Sequence, residues 1–249
     1  MTIVAKRIAL ITGGMGGLGE SISTKMHDAG FRVVVTHSPG NKKVADWNAD
    51  MKAKGYDFHP VPVDVADYDS CQACIAKVQA EIGPVDILVN NAGITRDTTL
   101  KKMSKADWDA VIETNLDSAF NMTKPVCDGM VDRGWGRIIN VSSVNGSKGA
   151  FGQTNYSAAK AGMHGFTKAL AQEVVKKGVT VNTISPGYVD TDMVRAIKPE
   201  VLQSIVASIP MGRLAKPEEI ASLVAFLASE DAGYITGANI SINGGLHME

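Results

Sequence analysis

The sequence predicts an α/β fold: a single domain with a doubly wound parallel sheet of about seven strands flanked by helices. Three observations carry this. Short apolar, β-branched runs alternate with longer amphipathic runs along the whole chain. Several strand-like runs are apolar on both faces, as a sheet covered by helices on both sides requires. A glycine cluster, ALITGGMGGLGESI at 9–22, joins the first strand-like run to the first helix-like one.

In chain order, the first strand is expected at 7–12 and its helix near 17–29. Strand 32–36 and a helix near 42–54 follow, then strand 57–64 and a helix near 67–82. Strand 87–90 precedes one long helix near 105–132, and strand 136–142 precedes another near 155–177. Strand 180–185 leads into an irregular excursion at 186–215, which holds Pro186, Pro199, Pro210 and short helical pieces. An excursion at a strand's carboxyl end reads as a lid or binding loop. A helix near 217–229 and a strand at 239–242 complete the pattern. No linker, low-complexity tract or repeat divides the chain, so it reads as a cofactor half at about 1–142 and a catalytic and substrate half at about 143–249.

Composition narrows the function classes. The chain has 249 residues, 45% of them hydrophobic, with a net charge of −1. No basic excess points to nucleic acid. The apolar run LVAFLA at 223–228 is far too short to span a bilayer, so no membrane partner is expected. The N-terminus runs straight into a strand without a signal-type apolar segment, which reads as cytoplasmic. Cys71, Cys74 and Cys127 are odd in number and form no paired disulfide framework. Cys71 and Cys74 are spaced CxxC inside a helix-like stretch with no second ligand pair downstream. They read as small residues of a half-buried helix rather than a zinc or redox site, and no metal is expected.

The glycines explain themselves by position. Gly14, Gly16 and Gly19 fit G-x-G-x-x-G, and Thr12, Gly13, Gly17 and Gly19 fit T-G-x-x-x-G-x-G. Between a first strand and its helix, such glycines let a pyrophosphate approach the backbone and the helix N-terminus. The fold is therefore Rossmann-type. The end of the second strand selects the dinucleotide. NAD would call for a carboxylate there to hold the ribose hydroxyl. The sequence instead reads VVVTHSPGNKK, with no acid before Asp46. Ser38, Lys42 and Lys43 suit a 2′-phosphate, so the cofactor is expected to be NADP(H).

Catalysis is assigned to NVSSVNGSKGAFGQTNYSAAKAG. Tyr156 and Lys160, four apart at a helix start, share a face. An ammonium beside a phenol favours the phenolate and brings it toward useful acidity, which suits a general acid for carbonyl reduction. Ser143, just after the fifth strand, is placed to hold the carbonyl oxygen.

With these residues in order, together with NNAG at 90–93 and Pro186-Gly187, the chain resembles the short-chain dehydrogenase/reductase family over essentially its whole length. The resemblance implies that Asn115 anchors a proton-relaying water beside Lys160, and that Lys160 holds the nicotinamide ribose. It implies cofactor contacts from Leu18, from Asp64 and Val65 at the adenine, and from Asn91, Ala92 and Gly93. Pro186, Gly187, Val189 and Thr191 belong to the same set at the nicotinamide end, together with Tyr156. Within the family, AGITRD, DRGWGRIINVSSVNGSKGAFGQTNYS and NGGLHM look like the NADPH-dependent acetoacetyl-CoA reductases of polyhydroxyalkanoate-storing bacteria. That implies an acetoacetyl-CoA substrate, an (R)-3-hydroxyacyl product and a homotetramer. Phe151, Gln153 and Tyr188 are then expected to line the acyl entrance, and Arg195 to meet CoA phosphates. Two alternatives stand. One is reduction of 3-oxoacyl chains on acyl carrier protein, which needs a basic docking patch drawn from Arg133, Arg137, Lys176 and Lys177. The other is a non-catalytic dinucleotide-binding protein, against which the retained Tyr156 and Lys160 argue.

Overall fold

The structure is a computed structural model and describes residues 6–196 and 198–248. The N-terminal residues 1–5, part of the reading on localisation, lie outside it, as does position 197 within the excursion. Among the described residues, seven strands form one sheet in the order β3-β2-β1-β4-β5-β6-β7, and every adjacent pair is parallel. The strands are β1 (Ile8–Ile11), β2 (Arg32–His37), β3 (Phe58–Pro62), β4 (Val85–Asn90), β5 (Gly136–Val141), β6 (Val179–Pro186) and β7 (Asn239–Ile242). The order reverses between β1 and β4, and that crevice is where such sheets place ligands.

The period-2 alternation of each strand sorts its side chains onto two cores. Ala9, Ile11, Val33, Val35, Ile87, Val89 and Ile139 face one layer. There they meet Ile22 and Met26 of α1 (Gly17–Asp28) and Ile220, Val224 and Leu227 of α10 (Pro217–Ala228). Leu10, Val34, Leu88, Ile138 and Val181 face the other. That layer is filled by α3 (Tyr68–Glu81), α5 (Ser118–Arg133) and α7 (Thr154–Val174). Cys71 and Cys74 sit in this second layer as free thiols. Burial pushes Cys71 up to about 12 and Cys74 up to about 11, so neither is a reactive thiolate near neutrality.

Three elements differ from the sequence reading. The helix expected at 105–132 is in fact α4 (Lys105–Ile112), a π-helical turn at Glu113–Asp117, and α5. Asn115 supplies a reason. Its Nδ2 donates to the Val111 carbonyl at 2.8 Å, the acceptor that an α-helical Asn115 N–H would use. A short α6 (Val144–Lys148) follows β5, where VNGSK has no apolar periodicity to announce it; Ser143 caps it, accepting from the Asn145 N–H at 3.2 Å. The excursion after β6 is closed at its base by a bridge between Val189 and Ala215, and it carries α8 (Asp192–Arg195) and α9 (Pro199–Ser208). The remaining helix, α2 (Val44–Ala53), lies between β2 and β3.

At the amino end of the sheet, two guanidinium groups lie against the Trp135 ring. Arg7 Cζ lies 3.5 Å and Arg137 Cζ 4.4 Å from its centroid. Glu230 joins them, pairing with Arg7 and Arg137 and accepting from Trp135 Nε1. Trp135 is the tryptophan of the GWG run that helps point to the reductases. It stands at the end of the sheet opposite the carboxyl ends, where it binds β1, β5 and the end of α10 together.

Candidate active site

The carboxyl ends of β1 to β6 open into one cleft of about 740 Å³. Its floor begins with the glycine turn. Gly13 has φ +62, and a Cβ there would stand 3.3 Å from Ala92 Cα. A Cβ on Gly19 would fall 2.1 Å from the Gly13 carbonyl oxygen, so the start of α1 seats on the turn only with glycine there. Gly16 caps α1 with extended backbone and no side-chain hydrogen bond. The first amides of α1 are therefore left to an anion, with the helix dipole behind them.

Gly13, Gly16, Gly17, Leu18 and Gly19 line the cleft, whereas Thr12 and Gly14 do not. Thr12 Oγ1 accepts the N–H groups of Asn91 and Ala92, both at 2.9 Å, and Asn91 Nδ2 returns a bond to the Thr12 carbonyl. This lattice locks the turns after β1 and β4 to each other. Gly14 instead lets α1 approach β2: a Cβ there would meet Ser23 Oγ and Val35 at 2.9 Å.

At the end of β2, Thr36, His37, Ser38 and Pro39 line the cleft. No carboxylate is among them. Lys42 and Lys43 lie outside the lining, in the approach to α2, where the Lys43 N–H is held by Asn41 Oδ1 at 2.9 Å. Asp64, Val65, Asn91, Ala92 and Gly93 all line the cleft.

The other end of the cleft holds the chemistry. Ser143, Tyr156, Lys160 and Asn115 line it together, with Pro186, Gly187, Tyr188, Val189 and Thr191. Burial holds the Tyr156 phenol above its ordinary range, helped by the nearby charge of Asp97, while the neighbouring Ser143 hydroxyl acts in the opposite direction. Lys160 does not offset this. Its ammonium sits 5.7 Å from the Tyr156 ring centroid and donates to the Val141 carbonyl at 2.8 Å. It is itself pushed down to about 8 by burial. Burial, not the Lys160 ammonium, is the largest influence on the Tyr156 phenol. Asn115, buried in the π turn, binds the Ile94 backbone at both ends of its amide, at 3.1 and 2.9 Å. A Cβ on Gly93 would fall 2.4 Å from Asn115 Oδ1, so the turn after β4 fits closely around it.

The expected substrate residues divide. Gln153 and Tyr188 line the cleft; Phe151 does not, and its side chain is 94% exposed. Arg195 stands outside the lining too, because Asp190 engages its guanidinium at 2.8 and 3.1 Å. The basic patch expected for a carrier protein does not form at the cleft. Arg137 is buried and Arg133 is tied to Val85 and Asp86, both at the amino end of β5. Lys176 and Lys177 precede the amino end of β6.

Sequence reasoning missed Asp97, Asn145 and Asn155. Gln153 Nε2 donates to Asp97 at 2.8 Å, and Asn145 Nδ2 donates to Gln153 Oε1 at 2.9 Å, so a carboxylate sets the direction of two amides beside the reacting end. Asn155, fully buried, receives the Tyr156 N–H and reaches the Arg96 and Asp107 carbonyls. Its place next to Tyr156 was the available signal.

Comparison with known proteins supports the same reading. The model of the short chain dehydrogenase family matches residues 7–202. An acetoacetyl-CoA reductase of Cupriavidus necator is 60% identical over 98% of this chain and 100% of its own. One from Allochromatium vinosum is 55% identical over 97% and 99%. A more distant relative, the 3-oxoacyl-acyl-carrier-protein reductase FabG of Vibrio cholerae, is 45% identical over 97% and 98%.

Proposed function

The chain belongs to the short chain dehydrogenase family, and from that membership we propose that it reduces acetoacetyl-CoA to (R)-3-hydroxybutanoyl-CoA with NADPH, supplying monomer for polyhydroxybutyrate synthesis. The observation that carries the reaction is the convergence of Ser143, Tyr156, Lys160 and Asn115 at one end of a cleft whose other end is a bare helix N-terminus. The substrate rests on the full-length similarity to two acetoacetyl-CoA reductases.

The residues present suit a nicotinamide dinucleotide: uncapped amides of α1 for the pyrophosphate, and Asp64 and Val65 for the adenine. When bound, it supplies the hydride. Ser143 holds the substrate's 3-keto oxygen, and Tyr156, kept protonated by its buried setting, donates the proton to that oxygen. Lys160 holds the ribose and, with Asn115, carries the replacement proton to Tyr156. Preference for NADPH is supported by the absence of a carboxylate at the end of β2. Ser38, in the lining, receives the 2′-phosphate, and Lys42 and Lys43 act from outside the lining. The enzyme works in the cytoplasm as a homotetramer. Among the described residues, no helix is long and apolar enough to cross a membrane.

The test is consumption of NADPH with acetoacetyl-CoA, beside NADH and beside acetoacetyl-carrier-protein. Fast turnover of the CoA ester with NADPH is expected. Preference for the carrier-protein ester would move the enzyme to fatty-acid synthesis. Tyr156→Phe should lose about 10²–10⁴-fold in kcat while still binding NADPH.

A further inference from the structure

Ser142, beside Ser143, and Ser185 end adjacent strands: the Ser142 N–H donates to the Ile184 carbonyl at 2.9 Å. Both face the same ring. His164 Nε2, on α7 one turn beyond Lys160, lies 2.9 Å from Ser142 Oγ and 3.4 Å from Ser185 Oγ. Each hydroxyl has one proton, and each proton is committed. Ser142 Oγ donates to the Lys160 carbonyl at 2.8 Å, and Ser185 Oγ donates to Asn239 Oδ1 at 2.7 Å. Carbonyl oxygens cannot donate, so both serines meet His164 as acceptors. The proton on Nε2 follows from this count.

We infer that His164 is a positioning residue for the reaction: its Nε2–H locks Ser142 onto the Lys160 carbonyl and so fixes the strand end bearing Ser143 against the helix bearing Tyr156 and Lys160. The inference rests on the reductase reading above. His164 lies outside the cleft lining, whereas Ser142 is within it, so the ring acts through the serine. The junction is close enough for small displacements to matter. A Cβ on Gly146 of α6 would stand 2.9 Å from the Lys160 carbonyl carbon and 3.0 Å from Ser142 Oγ. No other side chain at position 164 keeps a ring N–H in this place; the amide of glutamine restores the donor alone.

The experiment uses the full chain in three measurements. Nitrogen NMR of the wild type, with the His164 signal assigned among five histidines by its loss in His164→Gln, should show a protonated, pyrrole-type Nε2. A pyridine-type Nε2 overturns the inference. His164→Leu should lower kcat about tenfold, the loss of one hydrogen bond's worth of positioning, with KM for NADPH nearly unchanged; His164→Gln should recover most of it. Unchanged kcat in His164→Leu, or an equal loss in His164→Gln, overturns it. Ser142→Ala should lower kcat too, and adding His164→Leu should cost little more; multiplied losses would show that His164 does not act through Ser142. The spectrum needs no substrate. A wild type inert toward acetoacetyl-CoA overturns the proposed function and the positioning role with it, and the spectrum then decides only whether the Nε2–H lock on Ser142 exists.

Discussion

Lys160 carries its amine in a costly environment. It is buried, with a carbonyl and a thioether within reach and no carboxylate among its bonded partners. Its pKa falls from 10.5 to about 8. Between these values the unfolded chain binds more protons at this site than the native one, so stability rises with pH across that window. Against Lys160→Met, the wild type without cofactor should gain about 2 kcal/mol between pH 8 and pH 10, read from denaturant midpoints. A parallel course for the two proteins would show that the burial is relieved in solution. Residue identity is the most legible level of the site. Ser143, Tyr156 and Lys160 are readable because a hydroxyl, a phenol and an amine in that order, behind a dinucleotide turn, converge on one chemistry. Phe151 and Arg195 do not line the cleft as expected, because side-chain direction, and pairing with a neighbour such as Asp190, are written in space and not in order.

Elements are legible where a period is long enough. β7 falls at its expected bounds, and the CxxC pair is helical because the stretch around it keeps a helical pattern. The π turn escapes because a single extra residue in a turn leaves the apolar pattern almost unchanged; only the competition of Asn115 for the Val111 carbonyl reveals it. π turns recur at functional sites, and this one brings Asn115 to the cleft. The turn between β1 and α1 allows the sharpest test at this scale. Gly19→Ala places a methyl 2.1 Å from the Gly13 carbonyl, and Gly13 must move. NADPH affinity, measured by fluorescence titration, should fall at least about tenfold, while the melting temperature drops only modestly. Unchanged affinity would mean that the turn is not where the pyrophosphate rests.

For the whole molecule, the two edges of the sheet are unlike. β3 carries Pro60 and Pro62, which cannot donate to an added strand. β7 has no such protection, and beside it lies a second cavity of about 690 Å³ lined by Gly187, Tyr188, Met211, Asn243 and Met248. For the proposed homotetramer this side is an expected meeting face, and Met211 and Met248 are exposed there. Ser241→Asp, which puts like charges on an edge shared by two copies, should shift sedimentation from tetramer toward smaller species. A wild type that sediments as a monomer would refute the assembly. The GWG run shows the limit of motif reading at this scale: it points toward the reductases, yet its tryptophan braces the sheet at the end away from the substrate.

The Val189–Ala215 bridge has one more consequence. The two ends of the excursion after β6 meet one strand spacing apart, and the segment between them is tied down at its far end, where the Met211 N–H donates to the Gly244 carbonyl and Arg213 pairs with Glu219 of α10. Lengthening such a closed segment costs only about 0.6 kcal/mol per doubling. A replacement for the stretch from Asp190 to Leu214 must still keep the anchors at Ile209, Met211 and Arg213, and α8, whose Asp192 and Val194 line the cleft, travels with it. With those anchors kept, exchanging α8 alone is the change expected to reshape the cleft while the dinucleotide turn and the proton donors stay as they are.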